Sequence, residues 1–280
     1  MPHTTLIATD ALAALLADPH VVVVDCRFDL AKTDAGEAAY AQAHVPGAVY
    51  AHLDRDLSGP KTGTNGRHPL PSPPALVSTL GRLGIGPGAQ VVAYDQDSVA
   101  YASRLWWLLR WMGHNAVAVL DGGFAQWVAE QRPVSSGVDV RPSRAFTGRP
   151  HPELIVPVGE VSTVAASTDG RLVDARAPER YRGEVEPLDP VGGHIPGAVN
   201  HFFQRNLANG RFRSPGELRA GFLESLGTVS GNQVVCYCGS GVTACHNLLA
   251  LEHAGITGAR LYPGSWSEWV ADPTRLVERG

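Results

Sequence analysis

The chain has 280 residues, of which 44% are hydrophobic and 18% are charged, and its formal net charge is −4. This balance disfavours a nucleic-acid binder, which usually presents a basic face or tail, and no apolar run reaches the roughly 18 residues that a membrane span needs. Three of the four cysteines (Cys26, Cys236, Cys238 and Cys245) lie within ten residues, unlike a distributed disulfide framework. We therefore expect a reduced, cytoplasmic protein that binds neither nucleic acid nor a membrane.

Short, valine-rich apolar runs alternate along the chain with helical patterns. A short amphipathic helix is predicted to begin near Thr9. The runs that predict buried strands are Val21–Val24, Gln90–Tyr94, Ala116–Leu120, Leu172–Asp174 and Gln233–Tyr237. The helices predicted between them include Ala102–Met112 and Ala244–His253. This alternation predicts an α/β fold with parallel sheets flanked by helices, and ligands bind such sheets at the carboxyl ends of the strands.

The second half of the chain repeats segments of the first half in the same order. The matching pairs are Val21–Arg27 with Arg171–Arg176, His44–Val49 with His194–Val199, Val91–Tyr94 with Val234–Tyr237, and Leu120–Phe124 with Tyr262–Trp266. A period of about 145 residues is far longer than that of a solenoid, so each copy is a domain. We predict a first domain over residues 1–140, an extended Arg- and Pro-rich linker over 141–155 and a second domain over 156–280.

A cysteine follows the strand that is predicted to end at Tyr237. After Cys238 come, in order, Gly239, Ser240, Gly241, Val242 and Thr243, and then a helix. The glycines allow the backbone N–H groups to turn inward, and the positive end of the helix dipole adds to their field. Such a loop would stabilise a thiolate or an anionic persulfide, which predicts a nucleophile at Cys238. The alternative is that Cys238 is a small core residue in a turn.

Two other cysteine chemistries fit this loop less well. A cysteine phosphatase needs an arginine that closes the loop on phosphate, and residues 239–246 contain none. A metal site would need Cys236, Cys238, Cys245 and His246, but zinc ligands usually follow a Cys-x2–4-Cys spacing. We therefore expect no metal and no other cofactor. The position that matches Cys238 in the first copy is Asp95, which cannot carry sulfur, so we expect one catalytic copy.

These segments resemble the tandem rhodanese family, which includes thiosulfate and 3-mercaptopyruvate sulfurtransferases, over nearly the whole chain. The loop CGSGVTAC at Cys238–Cys245 is similar to the mercaptopyruvate branch, whereas the thiosulfate branch has Arg and Lys directly after the cysteine. The resemblance implies two rhodanese-like domains, the second one catalytic. It implies that sulfur passes from a small anionic donor, 3-mercaptopyruvate or thiosulfate, through a Cys238 persulfide to cyanide or a thiol acceptor, with a thioredoxin-like protein as one candidate. The alternatives are a thiosulfate-preferring rhodanese and a persulfide carrier for a protein partner.

The resemblance also implies a proton relay of Ser240, His68 and Asp54, in which the last two come from the first copy. Without the resemblance, Ser240 would be interpreted as a residue of the helix N-terminal turn and His68 as a loop histidine. A relay suits the mercaptopyruvate reaction, because the enolate that leaves needs a proton.

The resemblance further implies which residues bind the donor. Arg180 matches the arginine that holds the donor's anionic group. A second arginine of the mercaptopyruvate branch is missing, and Asp189 lies near that place, so Arg182 or Arg176 is the candidate substitute. The loop residues Gly239, Gly241, Val242 and Thr243 complete the predicted substrate-binding set.

Overall fold

The computed structural model describes residues 2–228 and 230–280, which form two compact units. Unit 1 comprises the described residues up to Gly59 and Pro71–His151, and unit 2 comprises Pro60–Leu70 and Pro152–Gly280. The chain leaves unit 1 within the stretch 141–155 that was predicted as a linker. The segment Pro60–Leu70 differs from the sequence interpretation, because it was assigned to the first copy and belongs to unit 2.

Unit 1 is an alternation of short strands and helices. Its elements are β1 (Leu6–Ile7), α1 (Thr9–Leu15), β2 (Val21–Asp25), α2 (Ala35–Gln42), β3 (Val49–Tyr50), α3 (Leu53–Asp56), α4 (Pro73–Arg82), β4 (Gln90–Tyr94), α5 (Ala100–Trp111), β5 (Val117–Leu120) and α6 (Gly123–Ala129). Within the described residues its sheet has five parallel strands in the order β1-β5-β4-β2-β3. The four valines of β2 are buried, as expected for a strand covered on both faces.

Unit 2 follows the same alternation after a 3₁₀ turn at Pro152–Leu154. Its elements are α7 (Val158–Ala166), β6 (Arg171–Asp174), α8 (Pro178–Tyr181), β7 (Val199–Asn200), β8 (Leu207–Ala208), β9 (Arg211–Phe212), α9 (Pro215–Leu226), β10 (Val234–Tyr237), α10 (Thr243–His253), β11 (Arg260–Leu261) and α11 (Ser265–Trp269), with further 3₁₀ turns at Phe203–Asn206 and Gly231–Gln233. In the part of the chain that the structure describes, β11-β10-β6-β7 form a parallel sheet and β8-β9 an antiparallel pair.

The two sheets express the sequence duplication in three dimensions. The order β5-β4-β2-β3 of unit 1 recurs as β11-β10-β6-β7 in unit 2. Each sheet has its own hydrophobic core, which includes the fully buried Tyr94 and Trp127 in unit 1 and Tyr237 and Trp266 in unit 2. The predicted α/β fold with parallel sheets flanked by helices is therefore confirmed.

Each sheet also buries one ion pair at the end of a central strand. Arg27 bonds to Asp25, and Arg176 bonds to Asp174, in both cases with Nη2 at 2.6 Å from Oδ2. In unit 1 the Tyr94 hydroxyl donates to Asp25 at 2.7 Å. Removing one partner would leave a buried charge uncompensated, which is costly. We interpret both pairs as structural, so Arg176 is already engaged by its own sheet.

The two His-x-Pro-Gly segments form equivalent turns. Nδ1 of His44 lies 2.8 Å from the carbonyl oxygen of Tyr40, and Nδ1 of His194 lies 2.8 Å from that of Tyr181. Each imidazole also stacks on the ring of the same tyrosine. Both histidines are buried, so these segments shape the fold of each unit and do not present side chains for chemistry.

None of the four cysteines forms a disulfide, and all four are buried. Among the described residues, no group of three or more His, Cys, Asp or Glu side chains is arranged to hold a metal ion. None of the helices in residues 2–228 and 230–280 is long and apolar enough to cross a bilayer.

Candidate active site

The loop between β10 and α10 begins at Cys238, and backbone hydrogen bonds tie it to the start of α11. The N–H of Trp266 donates to the carbonyl oxygen of Cys238 at 2.9 Å, and the N–H of Ser267 donates to that of Gly239 at 2.9 Å. The N–H of Cys238 donates to the Ser265 hydroxyl at 3.1 Å. These bonds hold both ends of the peptide that carries the cysteine, so the position of the thiol is set by unit 2 itself.

The thiol of Cys238 faces an amide of its own loop. The N–H of Gly241 donates to the sulfur at 3.1 Å. Gly241 has a φ of +77°, and a Cβ at this position would lie 2.3 Å from the carbonyl oxygen of Pro263, so the turn requires glycine. Val242 and Thr243 lead directly into α10, whose N-terminal dipole points toward the loop. This arrangement stabilises negative charge on the sulfur, whether thiolate or persulfide.

Ser240 and His68 meet in unit 2, although they are 172 positions apart in the chain. Oγ of Ser240 lies 2.7 Å from Nδ1 of His68. The two residues are 7% and 4% exposed, and the neighbouring Cys238 is 2% exposed. A hydroxyl–imidazole pair at this distance can pass a proton. The structure thus joins two of the three residues of the predicted relay within one unit.

Asp54, the third residue of the predicted relay, lies in α3 of unit 1. Its N–H donates to Nδ1 of His52 at 3.1 Å, and that imidazole caps the N-terminus of the helix. The part of Asp54 in a relay with His68 stays a prediction.

Two guanidinium groups lie over the peptide that follows Cys238. A Cβ on Gly239 would be 2.7 Å from Nη2 of Arg67 and 3.6 Å from Nη2 of Arg180. The Arg67 segment is held by its own N–H, which donates to the Ser267 hydroxyl at 3.0 Å. Glycine at position 239 therefore leaves room for two cations beside Cys238. Such cations suit a donor with an anionic group.

The same two guanidinium groups are paired with carboxylates. Nη2 of Arg180 lies 2.6 Å from Oε1 of Glu186 and 3.4 Å from Oδ2 of Asp189. Nη1 of Arg67 bonds to Oδ1 of Asp189. Both carboxylates are nearly buried, with side chains 5% and 4% exposed. The predicted position of Asp189 near the donor-binding arginine thus corresponds to direct ion pairs.

Arg67 was not among the predicted site residues, and the surroundings of Arg182 do not suggest the role predicted for it. Arg182 is half-exposed and bonds to the exposed Glu184, with Nε 2.7 Å from Oε1. The guanidinium beside Gly239 comes instead from Arg67, which directly precedes His68. The only sequence signal for Arg67 was this adjacency, because an arginine in a loop is usually a solvated surface residue.

The other two cysteines of this region are fully buried. Burial raises the pKa of Cys236, and the nearby Cys245 and Cys238 raise it further. The thiol of Cys245 donates to the carbonyl oxygen of Gly241 at 3.3 Å. Burial also raises the pKa of Cys26 in unit 1. A buried thiol with a raised pKa is a poor nucleophile, which disfavours Cys26 and Cys236 as reactive groups.

The fold and the loop define a class: a duplicated α/β protein in which the second domain presents a cysteine at an amide-lined strand end. The sequence model of the rhodanese-like domain matches residues 8–130 and 160–272. The chain belongs to the rhodanese-like domain family, and it is a sulfurtransferase. The resemblance recognised from the sequence is therefore confirmed.

The relatives cover the whole chain. It is 44% identical to a Pseudomonas aeruginosa protein over the full length of both, and the name of that protein assigns it to 3-mercaptopyruvate. It is 42% identical to SseB of Mycobacterium tuberculosis over 98% of this chain and 97% of that protein, and that name assigns it to thiosulfate. The crystal structure of the Escherichia coli 3-mercaptopyruvate enzyme SseA matches with a TM-score of 0.83 at 31% identity, over 94% of this chain and 99% of that one.

Proposed function

We propose that this protein transfers sulfur from 3-mercaptopyruvate, through a persulfide on Cys238, to a thiol or to cyanide. The observation that carries the proposal is the 2.7 Å contact between Ser240 and His68. Ser240 lies in the same loop as Cys238, two residues after it. This contact provides a path for a proton, and the two donors of the family differ in whether they need one. The arginines over Gly239 would hold the carboxylate of the donor.

The first half-reaction balances without a cofactor. The Cys238 thiolate attacks the mercapto sulfur, an S–S bond forms and the C–S bond breaks. The electron pair of the C–S bond goes to carbon, which leaves as the enolate of pyruvate. The proton of the mercapto group moves to that carbon, so the products are pyruvate and the Cys238 persulfide anion. Ser240 and His68 would carry this proton, and the Gly241 N–H would hold the new anion.

The second half-reaction returns the enzyme to its resting state. An acceptor thiol attacks the outer sulfur of the persulfide. A new S–S bond forms on the acceptor, the S–S bond to Cys238 breaks, and the Cys238 thiolate leaves, which completes a ping-pong scheme. Cyanide would accept the same sulfur as thiocyanate. A thioredoxin-like protein is the acceptor we favour in the cell. A cytoplasmic location is part of this proposal, since four free cysteines suit a reducing compartment.

Thiosulfate is the second candidate donor, because a relative of nearly equal identity is named for it. Attack on its outer sulfur releases sulfite and needs no proton. The two donors therefore make different demands on Ser240. The relay should matter for mercaptopyruvate and be dispensable for thiosulfate.

The test is Ser240→Ala, assayed in steady state with each donor and with cyanide as acceptor. We expect kcat/KM for mercaptopyruvate to fall about 10- to 100-fold, the range of a lost proton-transfer group, and kcat/KM for thiosulfate to stay within about twofold. Cys238→Ser should lose activity with both donors. The matched control is Ser162→Ala, which removes an exposed hydroxyl from α7.

An equal fall for both donors would mean that Ser240 shapes the loop and relays no proton. A clear preference of the wild-type protein for thiosulfate would favour the second candidate. Full activity of Cys238→Ser with either donor would remove the persulfide mechanism.

A further inference from the structure

The cations beside Cys238 are already neutralised by the protein. Arg67 bonds to Asp189, and Arg180 bonds to Glu186 and contacts Asp189. Arg176 bonds to Glu186 from its other side, with Nη1 3.2 Å from Oε2. Since Arg176 also pairs with the buried Asp174, three arginines face three carboxylates and their formal charges cancel. A donor anion that enters here must take a guanidinium group away from a carboxylate.

Glu186 and Asp189 differ in how firmly they are held. Glu186 accepts hydrogen bonds from the N–H groups of Leu188 and Asp189 at 3.0 and 3.2 Å, in addition to its two arginines. Glu186 therefore shapes its own turn. The carboxylate of Asp189 bridges Arg67 and Arg180, the two groups that lie over Gly239. Asp189 thus pairs with the same two guanidinium groups that would hold an anionic donor.

We propose that Asp189 is an internal competitor for the anionic group of the donor and limits the negative charge that the site accepts. The proposal rests on the proposed function in one respect, namely that the donor is an anion held by these arginines. It adds a specificity-determining residue that acts against binding. The donor displaces the carboxylate from Arg67, whose side chain is 28% exposed, so an anion can approach this guanidinium group from solvent.

The surroundings of Asp189 support such a displacement. Burial raises the pKa of Asp189, although the adjacent Arg67 lowers it. The carboxylate is thus not fully compensated where it lies, and its return to water offsets part of the cost of breaking the ion pair. Repulsion by the retained negative charge grows with the charge of the donor. Thiosulfate, with two negative charges, should therefore be disfavoured more than mercaptopyruvate, with one.

The deciding experiment measures the electrostatic potential at Cys238 without any sulfur donor. Iodoacetate and iodoacetamide alkylate a thiolate by the same reaction, but only iodoacetate is an anion. The ratio of their rates at Cys238, followed by mass spectrometry of the Cys238 peptide, is compared between wild type and Asp189→Asn. We expect the ratio to rise about 3- to 10-fold, as for removal of one charge several ångströms away at an intermediate dielectric. An unchanged or lower ratio overturns the proposal.

The matched control is Glu184→Gln, which removes a charge from the same segment but at an exposed carboxylate paired with Arg182. Its ratio should equal that of the wild type, and a rise as large as that of Asp189→Asn would overturn the proposal as a general charge effect. Asp189→Ser replaces the Asn variant if that variant does not fold. Because alkylation needs no donor, this result is independent of whether mercaptopyruvate or thiosulfate is the substrate.

Steady-state kinetics then test the selection by charge. Asp189→Asn should lower KM for both donors, with the larger gain in kcat/KM for thiosulfate. An equal or larger gain for mercaptopyruvate contradicts the selection. A loss with both donors would mean that Asp189 positions Arg67, and this too overturns the proposal.

Discussion

The loops after β4 and after β10 occupy equivalent places in the two copies. In unit 1 the N–H of Phe124 donates to the carbonyl oxygen of Asp95 at 2.8 Å, as the N–H of Trp266 donates to that of Cys238 at 2.9 Å in unit 2. Each loop includes one residue with positive φ, Val99 at 60° or Gly241 at 77°. The positive φ falls at different positions, because Val99 directly precedes its helix whereas Gly241 lies one residue further back. A strand, a loop and a helix therefore surround an aspartate in one copy and a cysteine in the other, but the two loops turn differently.

The two loops differ in the side chain that accepts hydrogen bonds from the backbone N–H groups before the helix. The carboxylate of Asp95 accepts hydrogen bonds from the N–H groups of Val99 and Tyr101 at 2.8 Å each, and from that of Ala102 at 3.2 Å. Unit 1 thus satisfies the helix N-terminus with its own fixed anion. A cavity of ≈ 210 Å³ still lies beside this loop, lined in part by Phe28 and Tyr101. The strand, loop and helix are thus retained in unit 1 without a cysteine, and unit 2 differs by Cys238 and its glycine turn.

The largest effect is expected from closing the loop of unit 2. Gly241→Ala would place a Cβ 2.3 Å from the carbonyl oxygen of Pro263 at a strained positive φ, so the N–H that faces Cys238 must move. We expect kcat/KM to fall about 10- to 100-fold. This is less than the usual effect of deleting an N–H that stabilises an anion, because the substitution displaces the Gly241 N–H and does not remove it. The measurement is steady-state kinetics together with the yield of Cys238 persulfide by mass spectrometry. Ser98→Ala, at the matching position of unit 1, should retain full activity.

If Gly241→Ala kept its activity and persulfide yield, the Gly241 N–H would not be needed to stabilise the sulfur anion. The glycine turn would then not explain why the two loops differ in chemistry.

The next largest effect concerns the stability of unit 1. Burial raises the pKa of Asp95 to about 6, although three backbone N–H groups lower it. Since the folded pKa exceeds the unfolded value of about 3.9, the folded state binds the proton more tightly. The stabilisation is complete below about pH 4 and is lost as the pH rises through 6. Between about pH 4.5 and 7.5 this group should therefore remove about 2 kcal/mol from the free energy of unfolding.

Asp95→Asn should abolish this contribution. Hydrogen exchange of peptides from α5 at the two pH values would measure it, with Asp34→Asn, an exposed change elsewhere in unit 1, as the control. Equal pH dependence in wild type and Asp95→Asn would contradict the assignment.

The smallest effect is an opposite pH response in unit 2. His201 lies 2.8 Å from the Ser225 hydroxyl and 3.0 Å from Oδ1 of Asn206, and burial lowers its pKa to about 4. The folded state resists protonation, so stability is present above the unfolded pKa of about 6.5 and is lost as the pH falls toward 4. Acidification from about pH 7.5 to 5.5 should cost unit 2 about 1 kcal/mol.

His201→Gln should flatten this dependence, measured by hydrogen exchange of peptides from α9, whereas His20→Gln at an exposed position should not. Parallel pH responses of the two units would show that other groups dominate.

Much of the fold and part of the site followed from local patterns. The strands predicted at 21–24, 90–94 and 172–174 lie within β2, β4 and β6. They could be predicted because short, continuous apolar runs are typical of strands in a parallel sheet that is covered on both faces. The nucleophile candidate Cys238 could be predicted because strand, glycine turn and helix are contiguous in sequence, and their geometry is local.

The contacts around Cys238 are made by residues that are far from it along the chain. His68 was assigned from the family resemblance, and its neighbour Arg67 was overlooked, because nothing in a loop sequence tells which side chain will turn toward a strand end. Arg182 was one of two candidates for the second cation, yet its partner is the exposed Glu184.

By itself, the sequence determined the duplicated α/β architecture, the cysteine predicted as nucleophile and the exchange of aspartate for cysteine between the copies. The tertiary structure decided that Pro60–Leu70 packs with unit 2, that His68 meets Ser240, and that Asp189 neutralises the arginines beside Cys238. The physical reason is separation along the chain. Hydrogen-bond periodicity and turn chemistry act over a few residues, whereas an ion pair or a proton relay joins residues that only the packed unit brings within 3 Å or so of one another.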